Sequence, residues 1–197
     1  YAEPAGRITI LTDALAGYTD LAEGTWYTDA VRYAVSSDLM EGTSETTFDP
    51  YSAITVGTFY QTLYNMEGKP AVEEATVSGV EGKWYADALN WAASEGLYVE
   101  GSAPDGELPL LRSGAARILA DYAAWKGIDA PEQDGSFDQV PDANAIPESD
   151  LMGMQYCYYA EIMVGDQAGQ LNPGSDLTRA EFAQVLLNFS EFTQQAA

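Results

Sequence analysis

A tandem repeat dominates this sequence. The segment Trp-Tyr-x-Asp-Ala-Val at residues 26–31 recurs at residues 84–89 as Trp-Tyr-x-Asp-Ala-Leu. An acidic turn ending in glycine follows each copy, at Gly42 and at Gly101, and a more divergent third copy ends at Gly165. A period of about sixty residues leaves room for three units in a chain of 197 residues. One such unit is too small to bury a sizeable core, so the units are expected to pack on one another.

Hydrophobic periodicity predicts a mainly α-helical fold of three helix-loop-helix repeats. In the first repeat, Ala30, Val31 and Ala34 share one face of a helix that starts after Trp26. A second helix is predicted to start with Thr55 as its N-cap and to end before the linker at residues 67–70. The second repeat copies this plan. In the third, we expect helices over about residues 147–163 and residues 179–192.

Linkers rich in glycine, proline and acidic residues set the predicted boundaries. They divide the chain into an N-terminal extension at residues 1–17 and repeats at residues 18–70, 71–130 and 131–197. Residues 7–12 of the extension are compatible with a short strand or with the start of a helix. The sequence alone leaves both interpretations open.

The charge of the chain excludes several classes of partner. Its 31 acidic and 8 basic residues give a formal net charge of −23, which repels nucleic acids and anionic membranes. We interpret this charge as a solvated surface, not as a cation-binding site. No apolar stretch of about 18 residues is present, so no membrane insertion is predicted.

The absence of histidine restricts the possible chemistry. A chain without histidine cannot build a Ser-His-Asp triad, a histidine general base or the usual histidine-containing zinc sites. Cys157, the one cysteine, lies in an apolar run and is expected to be a buried small hydrophobe. The acidic loop at residues 166–176 does not have the spacing of an EF-hand. We therefore predict no enzyme activity, no cofactor and no metal site.

The first residues of the chain give information on the cellular location of the protein. Residues 1–6 include no initiator methionine and have neither a basic n-region nor an apolar h-region. They look like a mature or trimmed terminus, from which a signal peptide could already be gone. This interpretation is compatible with a secreted protein.

A helix-start motif lies at residues 177–182, Leu-Thr-Arg-Ala-Glu-Phe. Thr178 and Glu181 are spaced as a capping box, in which each side chain bonds the backbone N–H of the other residue. Arg179 differs, because a cation in the first turn of a helix opposes the helix dipole. It either pairs with a nearby acid on the surface or serves a ligand.

Together these motifs resemble the S-layer homology domains of bacterial surface proteins over about residues 18–192. The resemblance implies a pseudo-threefold spindle with a central helical bundle and three loop prongs. It also implies grooves between repeats that hold anionic, often pyruvylated, secondary polysaccharides of the Gram-positive cell wall. In such a groove the signature arginine would pair with the ligand carboxylate, while the tryptophan and the loop glycines would line the walls.

The resemblance transfers to this chain only in part. Arg179 occupies the signature position, whereas the sequence alignment puts Val56 and Ser113 there in the first two repeats, with Arg112 one residue early. The aligned tryptophan position holds Ser149 in the third repeat. The candidate ligand-binding residues are Arg179, Trp26, Trp84, Arg112, Gly42, Gly101 and Gly165.

Each candidate has a structural alternative. Trp26 and Trp84 could instead anchor the packing of the prongs, and the three glycines could be helix C-caps with positive φ. Trp91 and Trp125 are expected in the core.

The leading functional hypothesis is a non-catalytic, monomeric cell-surface anchoring module that binds cell wall polysaccharide. The alternative is a degenerate scaffold of the same fold that contacts other surface proteins and binds no glycan. A carboxylate-based glycosidase is a third class, which the scattered placement of the acidic residues disfavours.

Overall fold

Six α-helices, joined by turns, form the part of the chain that the structure describes. The computed structural model describes residue 15 and residues 17–72, 76–98 and 105–195. Within these ranges the extended segments form isolated β-bridges and no strand. The helices are α1 (Thr28–Ser36), α2 (Val56–Met66), α3 (Ala86–Ser94), α4 (Arg112–Trp125), α5 (Leu151–Tyr159) and α6 (Arg179–Gln195). Residues 1–14, and with them the open question about residues 7–12, lie outside the described residues.

Side-chain caps explain where two of the helices begin. The Thr55 Oγ1 atom accepts a hydrogen bond from the N–H of Thr58 (3.2 Å), which confirms Thr55 as the N-cap of α2. At α6, the N–H of Thr178 donates to Glu181 Oε2 (2.9 Å), and the N–H of Glu181 donates to Thr178 Oγ1 (3.3 Å). The predicted capping box is confirmed.

Helix α5 is shorter than the predicted helix over residues 147–163. A 3₁₀ turn at Glu148–Asp150 precedes it, and Pro147 has an extended conformation. After the C-cap Ala160, Glu161 has a φ of 55°. A non-glycine residue in this left-handed region ends the helix, as Asp38 (φ 55°) does after α1. Helix α6 extends past the predicted residue 192 to Gln195.

Helix packing crosses the predicted repeat boundaries. Helix α2 packs against α3, α4 against α5, and α6 against α1. Helices α4 and α5 approach each other closely, because a Cβ atom on Gly153 would lie 2.4 Å from the Cα of Arg117. The second helix of each predicted repeat therefore packs against the first helix of the next repeat. The second helix of the third repeat packs against the first helix of the first repeat.

Three entry segments, each just before a second helix, bond to one another in a closed ring. The Ile54 N–H donates to the Leu177 carbonyl (2.8 Å), and the Leu177 N–H donates to the Leu110 carbonyl (2.9 Å). The Leu110 N–H then donates to the Ile54 carbonyl (2.9 Å). All three side chains are buried. The ring joins distant parts of the chain through backbone atoms only.

Backbone hydrogen bonds between the predicted repeats continue into the first turn of each second helix. In α2, α4 and α6, the N–H groups of the first two residues each donate to one carbonyl in the loop of the next predicted repeat, over distances of 2.8–3.1 Å. For α6, the last helix, this loop is that of the first repeat. The donors are Val56 and Gly57, Arg112 and Ser113, and Arg179 and Ala180. Arg112 therefore occupies the position of Arg179, and the sequence alignment that put Ser113 there is wrong by one residue.

The core contains equivalent residues from these helices. Leu63, Leu119 and Leu186 are buried at the same helical position, and Phe59 stacks on Phe182 with ring centroids 4.9 Å apart. Cys157 is fully buried as predicted, and burial raises the pKa of its thiol. Among the described helices, none combines the length and the hydrophobicity that a membrane-spanning segment requires.

The two tryptophans expected in the core differ. Trp91 is buried, which confirms the prediction. Trp125 is 38% exposed, so the prediction is wrong for this residue. It lies at the end of α4, where it stacks on Tyr122 and its Nε1–H donates to Glu95 Oε2 (3.2 Å). Because the indole N–H has a hydrogen-bond partner and one edge of the ring contacts solvent, the side chain is stable in this half-exposed position.

Candidate functional site

Two of the grooves at the helix-pair interfaces contain one exposed tryptophan each. The Trp84 groove lies beside α2 and α3 and has a volume of about 600 Å³. It is lined by Met40, Glu41, Gly42, Ser52, Thr58, Gln61, Asn65, Lys69, Trp84 and Arg179, among others. The Trp26 groove lies beside α6 and α1 and has a volume of about 750 Å³. It is lined by Trp26, Arg112, Met163, Gly165, Asp166, Ser175, Glu181, Gln184 and Asn188, among others.

A glutamine-asparagine pair forms the helical wall of both grooves. Gln61 Nε2 donates to Asn65 Oδ1 (2.9 Å) on α2, and Gln184 Nε2 donates to Asn188 Oδ1 (2.8 Å) on α6. Each asparagine also donates to the carbonyl at the end of a neighbouring loop, Leu39 for Asn65 (3.4 Å) and Ile162 for Asn188 (3.1 Å). Sequence reasoning missed these pairs, although Gln-x-x-x-Asn recurs at the same offset from both helix starts.

The two tryptophans expose their rings to solvent. Trp26 is 58% exposed and Trp84 is 61% exposed, whereas the adjacent Tyr27 and Tyr85 are buried. Each tyrosine contacts its tryptophan edge-on, with ring centroids 5.4 Å apart in the first pair and 5.2 Å in the second. The tyrosines therefore anchor the packing here, and the indole rings remain open to a ligand. Ser149 occupies the same position before α5, as the sequence predicts, and its side chain is exposed.

The two arginines are held in the same way under a loop. The Nε–H of Arg179 donates to the Phe48 carbonyl (2.7 Å), and the Nε–H of Arg112 donates to the Leu171 carbonyl (2.9 Å). Arg179 Nη2 also donates to the Glu41 carbonyl. Its guanidinium carbon lies 4.6 Å from the centroid of the Phe48 ring. Burial lowers the pKa of Arg179 from its ordinary value, but the guanidinium stays charged.

Two aspartates fix the loops that hold the arginines. Asp20 accepts hydrogen bonds from the N–H groups of Phe48 (2.9 Å) and Asp49 (2.6 Å). Asp142 accepts equivalent bonds from Leu171 (2.9 Å) and Asn172 (2.7 Å). Burial acts to raise the pKa of Asp20, but these backbone bonds and the charge of Arg179 outweigh it and lower the pKa below the usual 3.8.

Replacing Asp20 by alanine is expected to lower the free energy of unfolding by about 1 kcal/mol, because two backbone N–H groups lose a charged acceptor. The lowered pKa means that this contribution is fully present above pH 3.8 and is lost as the pH falls through the lowered value. Urea unfolding at pH 7 and at pH 3 measures both effects. Asp29→Ala is the control, because its side chain is 90% exposed and its ion pair with Arg32 is worth little. Equal losses for both variants would contradict the prediction.

The loop glycines have a different role from the predicted C-caps. Neither Gly42 nor Gly165 has a positive φ, so the C-cap interpretation is wrong for both. A Cβ atom on Gly42 would lie 2.4 Å from the ring of Tyr18, and one on Gly165 would lie 2.7 Å from the backbone of Gly169. Both positions need glycine because the loop folds back closely there. Gly101 lies outside the described residues.

The third interface, between α4 and α5, carries other side chains. Arg117 and Asp121 replace the glutamine and asparagine and lie 3.6 Å apart as an ion pair. The buried Asp150 accepts from Ser113 Oγ (2.8 Å) and Arg117 Nε (3.1 Å). With Val56 in the arginine position, the described residues of this interface provide neither an exposed tryptophan nor a free guanidinium.

The described residues contain no group of three or more potential metal ligands of the His, Cys, Asp or Glu type. Asp166, in the acidic loop, is used within that loop. Its carboxylate accepts from Asn172 Nδ2 (3.1 Å) and from the N–H groups of Ala168 (2.8 Å) and Gln170 (3.1 Å), and these bonds lower its pKa.

Residues 17–55 and 142–183 contain Trp26, Gly42, Gly165 and Arg179, together with the loop-fixing aspartates Asp20 and Asp142. Both segments match the S-layer homology domain. S-layer homology domains are generally non-catalytic modules that bind the bacterial cell wall and anchor proteins at the surface. Trp84 and Arg112 lie outside the two matched segments. No curated protein matches the chain.

Proposed function

We propose that this chain is a non-catalytic anchoring module that binds anionic secondary cell wall polysaccharide, including pyruvylated forms, in its two grooves. One observation carries the proposal: the same set of side chains occurs twice. Each groove combines an exposed indole, a partly buried arginine and a hydrogen-bonded glutamine-asparagine pair. An accidental surface cleft would not reproduce four matching side chains at matching positions.

The chemistry of the set suits an acidic sugar. An exposed indole face packs against the apolar face of a sugar ring, and amide side chains bond its hydroxyl groups. The planar guanidinium fork binds carboxylates well because its donors are fixed in direction. Arg179 Nη1 has no hydrogen-bond partner among the described residues, so it remains able to donate to a ligand.

The ring of backbone bonds supports a pseudo-threefold spindle of three repeats. The entry segments of the predicted repeats at residues 18–70, 71–130 and 131–197 would meet at the axis, with the second helices as the central bundle. Each groove would then lie between neighbouring repeats. Because the ring closes within one chain, we propose that the protein is a monomer. An anchoring role further implies export to the surface of a Gram-positive bacterium.

The acidic residues of the Trp26 groove support a non-catalytic role. A glycosidase needs two free carboxyl groups on opposite sides of the scissile bond. Asp166 is bonded within its loop, and Glu181 is bonded to the start of α6 and to Arg112 Nη1 (3.2 Å).

Removing both exposed indoles is expected to weaken sedimentation with purified cell walls. The double variant Trp26→Ala/Trp84→Ala loses one stacking platform in each groove, which predicts a loss of apparent affinity of about a hundredfold, with about tenfold for each single variant. Binding is measured with pyruvylated walls and with walls stripped of the polysaccharide. Met152→Ala is the matched control, since Met152 is 82% exposed and lies outside both grooves.

Equal sedimentation with intact and stripped walls would overturn the proposal. Capture of a surface protein without any glycan signal would favour the alternative, a scaffold of this fold that contacts proteins. Among the described residues, the α4–α5 interface has neither an exposed tryptophan nor a free arginine, and this observation favours that alternative.

A further inference from the structure

The two grooves differ in charge although their architecture matches. The Trp84 groove is lined by two basic residues and one acidic residue, Arg179, Lys69 and Glu41. The Trp26 groove is lined by one basic residue and two acidic residues, Arg112, Asp166 and Glu181. In a chain of net charge −23, a groove with excess positive charge is a distinctive local feature.

One position accounts for half of this difference in charge. The third residue of α6 is Glu181, and the equivalent third residue of α2 is Thr58. Glu181 Oε1 accepts from Arg112 Nη1 (3.2 Å), whereas Arg179 has no side-chain carboxylate within ion-pair distance among the described residues. The arginine of the Trp26 groove is therefore neutralised by the protein itself.

Glu181 is not free to move away from Arg112. Its other oxygen, Oε2, accepts from the N–H (2.9 Å) and the hydroxyl (2.8 Å) of Thr178. The Arg112 side chain is 12% exposed and that of Glu181 is 34% exposed, so water screens this pair less than a surface pair. A ligand carboxylate that approached Arg112 would meet the charge of Glu181 first.

We propose that the two grooves bind different units of the polymer: the Trp84 groove takes the carboxylate-bearing sugar, and the Trp26 groove takes an uncharged sugar. This inference rests on the proposed function, because it assigns a ligand class to each groove. Lys69, just after α2, adds a second cation to the Trp84 groove and has no ion pair among the described residues. The recognition motif would then be an alternating polymer of acidic and neutral sugars.

Two matched probes test the assignment. One is a methyl hexopyranoside with a 4,6-linked pyruvate ketal, which carries one carboxylate, and the other is its uncharged methyl ester. The four tryptophans give separate indole N–H signals in ¹H–¹⁵N NMR, and Trp26→Phe and Trp84→Phe assign the two that matter. At Trp84 the acid is expected to bind about tenfold more tightly than the ester. At Trp26 the ester is expected to bind at least as tightly as the acid.

A reciprocal pair of variants tests the cause. Glu181→Gln removes the charge and retains an oxygen for the capping box, so the acid should gain about tenfold over the ester at Trp26. Thr58→Glu places a carboxylate opposite Arg179 and completes a capping box with Thr55, so the preference at Trp84 should disappear. In each variant the untouched groove is the internal control. Circular dichroism checks that both variants remain folded.

Three results would overturn the inference. The same acid-to-ester ratio at both indoles would contradict it while leaving glycan binding intact. No change at Trp26 in folded Glu181→Gln would show that this pair does not set the preference. If neither probe shifts either indole and the chain does not sediment with walls, the proposed function fails together with this inference.

Discussion

Replacing Gly153 by alanine is expected to lower the free energy of unfolding by about 3 kcal/mol. The new Cβ atom would lie 2.4 Å from the Cα and 2.6 Å from the N of Arg117. Both are backbone atoms of α4, so no side-chain rotation can relieve the contact, and the two helices must move apart. Separation would also disturb the buried contacts of Asp150 with Ser113 and Arg117.

Thermal unfolding measures this effect, with an expected fall in Tm of about 9 °C for a chain of this size. Gly174→Ala is the matched control, because no atom lies within 4 Å of its added Cβ and its φ is not positive. The control should change the free energy of unfolding by less than about 0.5 kcal/mol. A Gly153→Ala variant as stable as Gly174→Ala would show that α4 and α5 are not packed backbone to backbone.

An isolated fragment of residues 131–197 is expected to lack stable helix, although it corresponds to one predicted repeat. Its two helices, α5 and α6, pack on α4 and α1, which the fragment does not contain. Each would expose its apolar face to water, and short helices without packing are marginal. A fragment of residues 105–163 is of similar length, cuts across two predicted repeats and retains the packed pair α4–α5.

Circular dichroism at 222 nm distinguishes these possibilities. We expect residues 105–163 to be clearly more helical than residues 131–197. Mixing residues 131–197 with residues 1–130 should restore more helix than the sum of the two separate spectra. A stable, independently folded fragment of residues 131–197 would contradict the packing across repeat boundaries.

The sequence predicted the helix starts better than the groove partners. Thr55 and the box of Thr178 and Glu181 are local signals, because a cap depends on residues three apart. The shift at Arg112 has a physical reason: Leu111 precedes α4 and provides no side-chain cap, so the motif had no anchor there. Without a capping residue to mark the start of α4, the sequence alignment is displaced by one residue.

The composition of the grooves could not be derived from single repeats. Trp84 shares its groove with Arg179, and Trp26 shares its groove with Arg112, so each set comes from all three predicted repeats. Arg179 therefore belongs to the groove of Trp84, although its motif lies in the last repeat. Only the long-range pairing of helices and loops brings these side chains together, and no periodicity encodes that pairing.

The backbone ring at Ile54, Leu110 and Leu177 has a consequence for how such a chain can diverge. Its bonds, and the six that extend them into α2, α4 and α6, use only peptide N–H and carbonyl groups. Any residue except proline supplies both groups, so side-chain substitutions in one groove leave the hydrogen bonds of the backbone ring in place. Each groove is thereby free to acquire or lose a ligand independently of its neighbours, as the different side chains at the α4–α5 interface illustrate.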